Sequence, residues 1–223
     1  MDLLTRTDAS DAVTDLGWRY LLGTLRTQVP ALSMTRATEI ASRCVHSCAG
    51  DADEHLTVDL RPDRVHLALR TRAMGGVTQR DVDLAHRVSA GVRDLGVRTE
   101  PGHRPPVQGL EIAIDALDIR AIRPFWKAVM SYVDEAGAGP DGAIVDPAGL
   151  SAPIWFQQMD APRPQRNRIH LDISVPHDEA ERRIEAGLAA GGRLAYADEA
   201  PAFWVLADRE GNEVCVCTWQ GRD

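Results

Sequence analysis

Residues 110–219 carry one pattern twice: a short run alternating with period two, a run with apolar residues at helical spacing, then further short alternating runs. A chain that repeats a strand-then-helix unit has to build two equivalent small sheets, each with a helix on one face, and this constrains the fold more than any other feature. In the first unit the spacing predicts a strand over 110–118, with Ile112 and Ile114 on one face and Glu111, Ala113 and Asp115 on the other, then a helix over 119–130. In the second it predicts a strand over 168–175, with Ile169, Leu171 and Ile173 opposing His170, Asp172 and Ser174. A helix over 179–190 follows, with Ala180, Ile184 and Leu188 on one face and Gly191 and Gly192 closing it. Glu111 and His170 fall at matching places on the two polar faces.

Three short strands are predicted to complete each unit. In the first, two of them lie at 143–145 and 153–158; in the second they lie at 193–196, 203–207 and 213–218. In the last strand Val214 and Val216 face the helices while Glu213, Cys215 and Cys217 face away. Two βαβββ units follow, and side by side they can curl around one cavity lined by their polar faces. Over residues 108–219 this arrangement resembles the vicinal oxygen chelate superfamily of glyoxalases, bleomycin-resistance proteins and dioxygenases. The residues carrying the likeness are Phe125 and Trp126 on the first helix, the run from Asn167 to Asp172, and the run from Asp208 to Glu213.

In metal-dependent members, ligands come from the first strand of each unit and from later strands. The resemblance therefore implies Glu111, His170, Gln157 or Gln158, and Cys215 as positions for a divalent ion at an open site. A glutamine and a thiol make a chemically mixed set, better suited to zinc than to magnesium or manganese. The alternative is a pocket without metal, in which His170 and Asp172 are hydrogen-bonded wall residues and Cys215 is a small apolar filler, with Asp115 on the polar face of the first strand as a further ligand-binding candidate. Trp155 shares the face of Gln157 by strand parity, which favours a flat or apolar ligand over a sugar phosphate.

The preceding stretch, 96–109, is rich in Pro and Gly and interrupts all periodicity, so it reads as a linker. The division expected is a first domain over 1–98, a linker over 99–108 and a second domain over 109–223. Charge supports it. Arg and Asp plus Glu balance over residues 1–108, so the whole net charge of −8 lies in the C-terminal part, which does not suit nucleic acid. In the first domain, helices are predicted over 35–48 and 78–95, the latter capped by Thr78, with strands at 25–29, 56–60 and 65–72. A small antiparallel sheet with helices on one face follows, and the chain as a whole is α+β.

This first domain resembles pterin-4a-carbinolamine dehydratases, which remove water from a hydroxylated tetrahydropterin. The residues carrying the likeness are Gly17 and Trp18, the run Val65 to Thr71, and the run Gly76 to Ala85. The family has a His-His-Pro run before the strand and a further His at the strand's end. Here the run is Glu54-His55-Leu56 and the later position is Arg72, so one histidine remains. The resemblance implies His55 and Glu54 as proton carriers, Asp81 in support, and Arg72 as a group that can hold a pterin oxygen or an anion. Asp81 also suits the first turn of its helix as a plain dipole partner.

Three functions of different class follow. They are a lyase acting on a pterin, a metal-dependent enzyme of the glyoxalase or dioxygenase type, and a non-catalytic protein that captures a small molecule. The resembled families imply a homodimer or larger homo-oligomer. Cys44 and Cys48, and Cys215 and Cys217, have neither metal-finger spacing nor easy disulfide geometry and read as reduced thiols. The N-terminus lacks a signal pattern and no apolar run approaches bilayer length, so a cytoplasmic protein without a membrane partner is expected. Lys127 is the sole lysine, and beside Trp126 it reads as a surface group, which leaves little scope for Schiff-base chemistry.

Overall fold

The structure, a computed structural model, describes residues 2–102, 107–162, 169 and 171–221. These form two compact units, Met1–Gly109 and Leu110–Asp223. Each is mixed α and β.

The first unit comprises α1 (Arg6–Asp11), β1 (Arg19–Leu21), β2 (Thr24–Pro30), α2 (Met34–Ser47), a single turn α3 (Ala52–His55), β3 (Leu56–Arg61), β4 (Arg64–Leu69) and α4 (Gln79–Arg93). The strands make one antiparallel sheet in the order β1-β2-β4-β3. Alternation decides its faces. Val65, Leu67 and Leu69 of β4 are buried with Leu25 and Val29 of β2, whereas His66, Ala68 and Arg70 lie on the opposite face. Helix α2 starts where the Ser33 hydroxyl accepts the Arg36 N–H, and it buries Ala37, Ile40 and Cys44. Helix α4 opposes it with Val82, Ala85, Val88 and Val92. Each aliphatic side chain taken fully from water contributes about 1.5–3 kcal/mol, so this shared core is the unit's main source of stability. The two helices pack closely because Gly91 has no side chain; a Cβ there would meet the Ser47 hydroxyl at 2.2 Å. Within the Pro- and Gly-rich stretch, Thr99 is buried and Glu100 exchanges both backbone hydrogen bonds with Gln28.

The second unit repeats one topology. Its first module runs β5 (Ile112–Ala116), α5 (Ile119–Met130), β6 (Val133–Asp134), β7 (Ile144–Val145) and β8 (Ile154–Gln158), in the sheet order β5-β8-β7-β6. Its second runs β9 (Asp172–Ser174), α6 (Ala180–Ala189), β10 (Arg193–Tyr196), β11 (Phe203–Ala207) and β12 (Glu213–Cys217), in the order β9-β12-β11-β10. In both, the last strand returns beside the first in parallel: β8 beside β5, β12 beside β9. One core serves both modules, with Ile114, Phe125, Trp126, Ile154 and Phe156 from the first and Ala180, Leu206, Val214 and Val216 from the second. The Trp126 indole N–H ends on the buried Asp208 carboxylate at 3.0 Å.

The first strands are shorter than the alternation predicts. Strand β5 begins at Ile112 because Pro153, opposite Glu111 in the register, has no N–H to extend the ladder; Glu111 is left exposed ahead of the strand. The described part of the second pairing starts at Asp172, and Ile169, expected on an oily face, is 79% exposed. Leu188 is also turned outward at 39% exposure, since Gly187 takes the core-facing position against Phe125, Val129 and Leu206. No helix of the described residues is long and apolar enough to cross a membrane.

Candidate functional site

In the first unit three elements bring His55, Thr71 and Asp81 together. His55 ends α3, Thr71 follows β4, and Asp81 lies in the first turn of α4. Asp81 is fully buried and His55 is 6% exposed. The His55 Nδ1 lies 2.8 Å from Asp81 Oδ1. The other carboxylate oxygen accepts the Thr71 hydroxyl at 2.7 Å and the Thr78 N–H at 2.8 Å, with the Thr78 hydroxyl at 3.1 Å. The Thr78 N–H contact is one arm of a capping box, so the groups that start the helix also aim the carboxylate at the imidazole. With Asp81 accepting throughout, Nδ1 carries the proton in the neutral ring and Nε2 keeps its lone pair. Among the described residues every hydrogen bond to the ring is made at Nδ1, which leaves Nε2 for a reacting molecule. The backbone holds the ring's position as well, since the Arg70 N–H donates to the His55 carbonyl at 3.0 Å.

Glu54 is exposed on α3, one residue before His55. The Arg72 guanidinium is committed to backbone: it donates to the carbonyls of Leu56 at 2.9 Å and Asp53 at 3.2 Å, and to the Thr57 hydroxyl at 3.1 Å. It fastens the turn that carries His55 to the start of β3. Thr71 was not singled out from sequence; its place opposite the capping box is the signal that would find it.

In the second unit, Asp115 on β5 shares a face with Trp155 and Gln157 on β8, and Trp155 is 37% exposed. On the second module, Asp172 is paired in register with Cys215, and Tyr196 and Phe203 stack on the same face with ring centroids 5.9 Å apart. Burial and the hydrogen bond to Asp172 push the Cys215 thiol up to about 12, so it holds its proton across the neutral range. The Gln158 amide group donates to the carbonyls of Leu117 and Met159 at 2.9 and 3.1 Å. His170 lies outside the described residues, as do Asn167 and Arg168. Among the described residues no group of three His, Cys, Asp or Glu side chains could hold a metal ion.

The model of the pterin 4 alpha carbinolamine dehydratase family matches residues 2–90. A putative pterin-4-alpha-carbinolamine dehydratase of Mycobacterium tuberculosis is 33% identical over 91 residues, covering 40% of this chain and 96% of that protein. The chain belongs to the pterin-4a-carbinolamine dehydratase family. A second protein of that description, from Mycobacterium avium, is 36% identical over 90 residues, covering 40% of this chain and 95% of its own length. The dehydratase unit is joined to a glyoxalase-like domain, whose family model matches residues 111–217. Among solved structures, a transcriptional coactivator/pterin dehydratase from Brucella melitensis is 22% identical, covering 40% of this chain and 98% of that one, with a TM-score of 0.36. A glyoxalase/bleomycin resistance protein/dioxygenase family enzyme from Burkholderia phytofirmans is 19% identical, covering 48% and 95%, with a TM-score of 0.40.

Proposed function

We propose that the dehydratase unit is a lyase that removes water from a 4a-hydroxytetrahydropterin, with His55 as its proton carrier and Asp81 as the group that orients it. The observation that carries this reading is the buried contact between His55 Nδ1 and Asp81. Loss of water from a carbinolamine requires a proton on the departing hydroxyl and removal of one from the neighbouring nitrogen. The C–O bond breaks, a C=N bond forms, and the proton count is unchanged. A neutral imidazole that keeps its proton at Nδ1 can take the proton from the nitrogen at Nε2 and then give it from there to the departing hydroxyl. Glu54, exposed on the same turn, is the second proton carrier in this reading, whereas Arg72 fixes the turn and does not transfer protons. The family likeness supports a homodimer or larger assembly.

A second reading is that the protein captures small molecules without converting them. It is favoured by the glyoxalase-like unit, where the protonated Cys215, Asp172 and the Tyr196–Phe203 stack share a sheet face suited to a flat ligand. One experiment separates the two. The purified chain is expected to dehydrate a freshly generated 4a-hydroxytetrahydropterin faster than the spontaneous reaction. A rate equal to the spontaneous one, with saturable pterin binding retained, would replace the lyase reading by capture.

A further inference from the structure

A cleft of about 390 Å³ opens on the first unit, away from His55. Ser89, on its wall, lies eight residues beyond Asp81 on α4, about 12 Å along the axis at 1.5 Å per residue. The buried hydroxyls of that wall are already hydrogen-bonded. Trp18, fully buried, donates its indole N–H to the Ser89 hydroxyl at 2.9 Å, and Ser89 and Thr99 are linked at 3.0 Å. Thr99 in turn donates to the Leu16 carbonyl at 2.6 Å. Gly17 lets the wall close, since its φ is +82° and a Cβ there would meet the Thr99 carbonyl oxygen at 2.4 Å.

The rim is cationic. Arg19, Arg93 and Arg98 all line the cleft. Arg19 is pinned by donating to the carbonyls of Trp18 and Thr14 at 2.7 and 3.1 Å. Among the described residues no hydrogen bond or ion pair engages the guanidinium of Arg93 or of Arg98, and both residues are exposed. Two acids also line the cleft. One of them, Glu100, is within electrostatic reach of Arg64, whose charged form is favoured first by Asp63 and further by Glu100; the other is Asp15. Three arginines thus share the cleft with hydroxyls that already satisfy one another, and the groups left for a ligand are the guanidinium groups of Arg93 and Arg98, forked donors matched to oxyanions. The volume suits a small molecule.

We propose that this cleft is a binding site for a small polyanion bearing phosphate or carboxylate groups, recognised by Arg93 and Arg98 with Arg19 in support. It is separate from the His55–Asp81 site and stands whether or not that site is catalytic.

Calorimetric titration of the full chain with pyrophosphate and with citrate, at low ionic strength, tests the proposal, and the tighter of the two identifies phosphate or carboxylate as the preferred group. Saturable binding at one site per chain is expected, weakened at least about tenfold in the R93Q/R98Q double variant. The charge-matched R61Q/R182Q control, altered at exposed positions outside the cleft, is expected to stay within about threefold of wild type once salt screening is matched. Both double variants change exposed side chains, and unchanged circular dichroism confirms that they fold. His55→Ala is expected to bind as wild type does. The proposal is overturned if neither anion binds saturably, or if both double variants lose affinity equally.

Discussion

Replacing Asp81 by Asn tests how one carboxylate serves both the helix and the imidazole. The side chain is fully buried and every described contact presents a donor to it: His55 Nδ1 at 2.8 Å, the Thr78 N–H at 2.8 Å and the Thr71 hydroxyl at 2.7 Å. An amide has one acceptor oxygen and one donor nitrogen, so it has to abandon one of them. The two threonine hydroxyls can rotate and accept, but the Thr78 N–H cannot. If the amide oxygen turns to His55, the helix loses its reciprocal cap and a buried N–H is left unmet, at a cost of about 1–3 kcal/mol. If it turns to Thr78, the amide nitrogen faces Nδ1 and forces the ring's proton to Nε2. The ring then lacks the free base that proton removal needs, and the rate falls by about a hundredfold or more. Asp81→Asn therefore loses stability or activity according to the orientation adopted. Urea denaturation and dehydration kinetics on one preparation read both, and the same substitution in a His55→Ala background is expected to cost no further activity. An Asp81→Asn variant with wild-type stability and wild-type rate would refute the reasoning.

Four other expectations follow from the structure. Burial first, then Cys48 for Cys44 and Asp172 for Cys215, push those two thiols up to about 12, and burial pushes Cys48 to about 11. These groups keep protons in the fold that the unfolded chain releases near 9, so their contribution is intact below about pH 9 and is lost as pH rises towards 11–12; urea midpoints at pH 7.5 and 10 should show the decline. Iodoacetamide at pH 8 should label these three cysteines slowly in the native protein and rapidly in urea. Gly17→Ala places a side chain 2.4 Å from the Thr99 carbonyl at a positive φ and should cost about 2 kcal/mol or more, measured by urea denaturation. Trp126→Phe leaves Asp208 without its indole donor, although Glu210 and Asn212 still donate to that carboxylate, and about 1–2 kcal/mol should be lost in the same assay.

The repeated unit was legible because strand parity and helix spacing are both local. Val214 and Val216 against Cys215 and Cys217, or Ala37, Ile40 and Cys44 on α2, follow from period alone. Ends of elements were less legible. Glu111 keeps the alternation of β5 but lies beyond its ladder, and the reason is a proline on the partner strand. Leu188 keeps helical spacing, yet the closest approach falls on Gly187, a position defined by Phe125 and Leu206 from distant segments. At the site, His55 and Asp81 were named by likeness to a family, whereas Thr71 was not, because its part depends on where β4 ends relative to α4. The commitment of Arg72 to carbonyls of its own turn was equally invisible, since a sequence shows a cation but not what already occupies it.

The most direct test of the lyase reading is the dehydration rate of His55→Ala beside wild type. General acid–base catalysis by one imidazole predicts a loss of about 10²- to 10⁴-fold, with pterin affinity largely kept. Equal rates in the two proteins would remove His55 from the chemistry and the account with it.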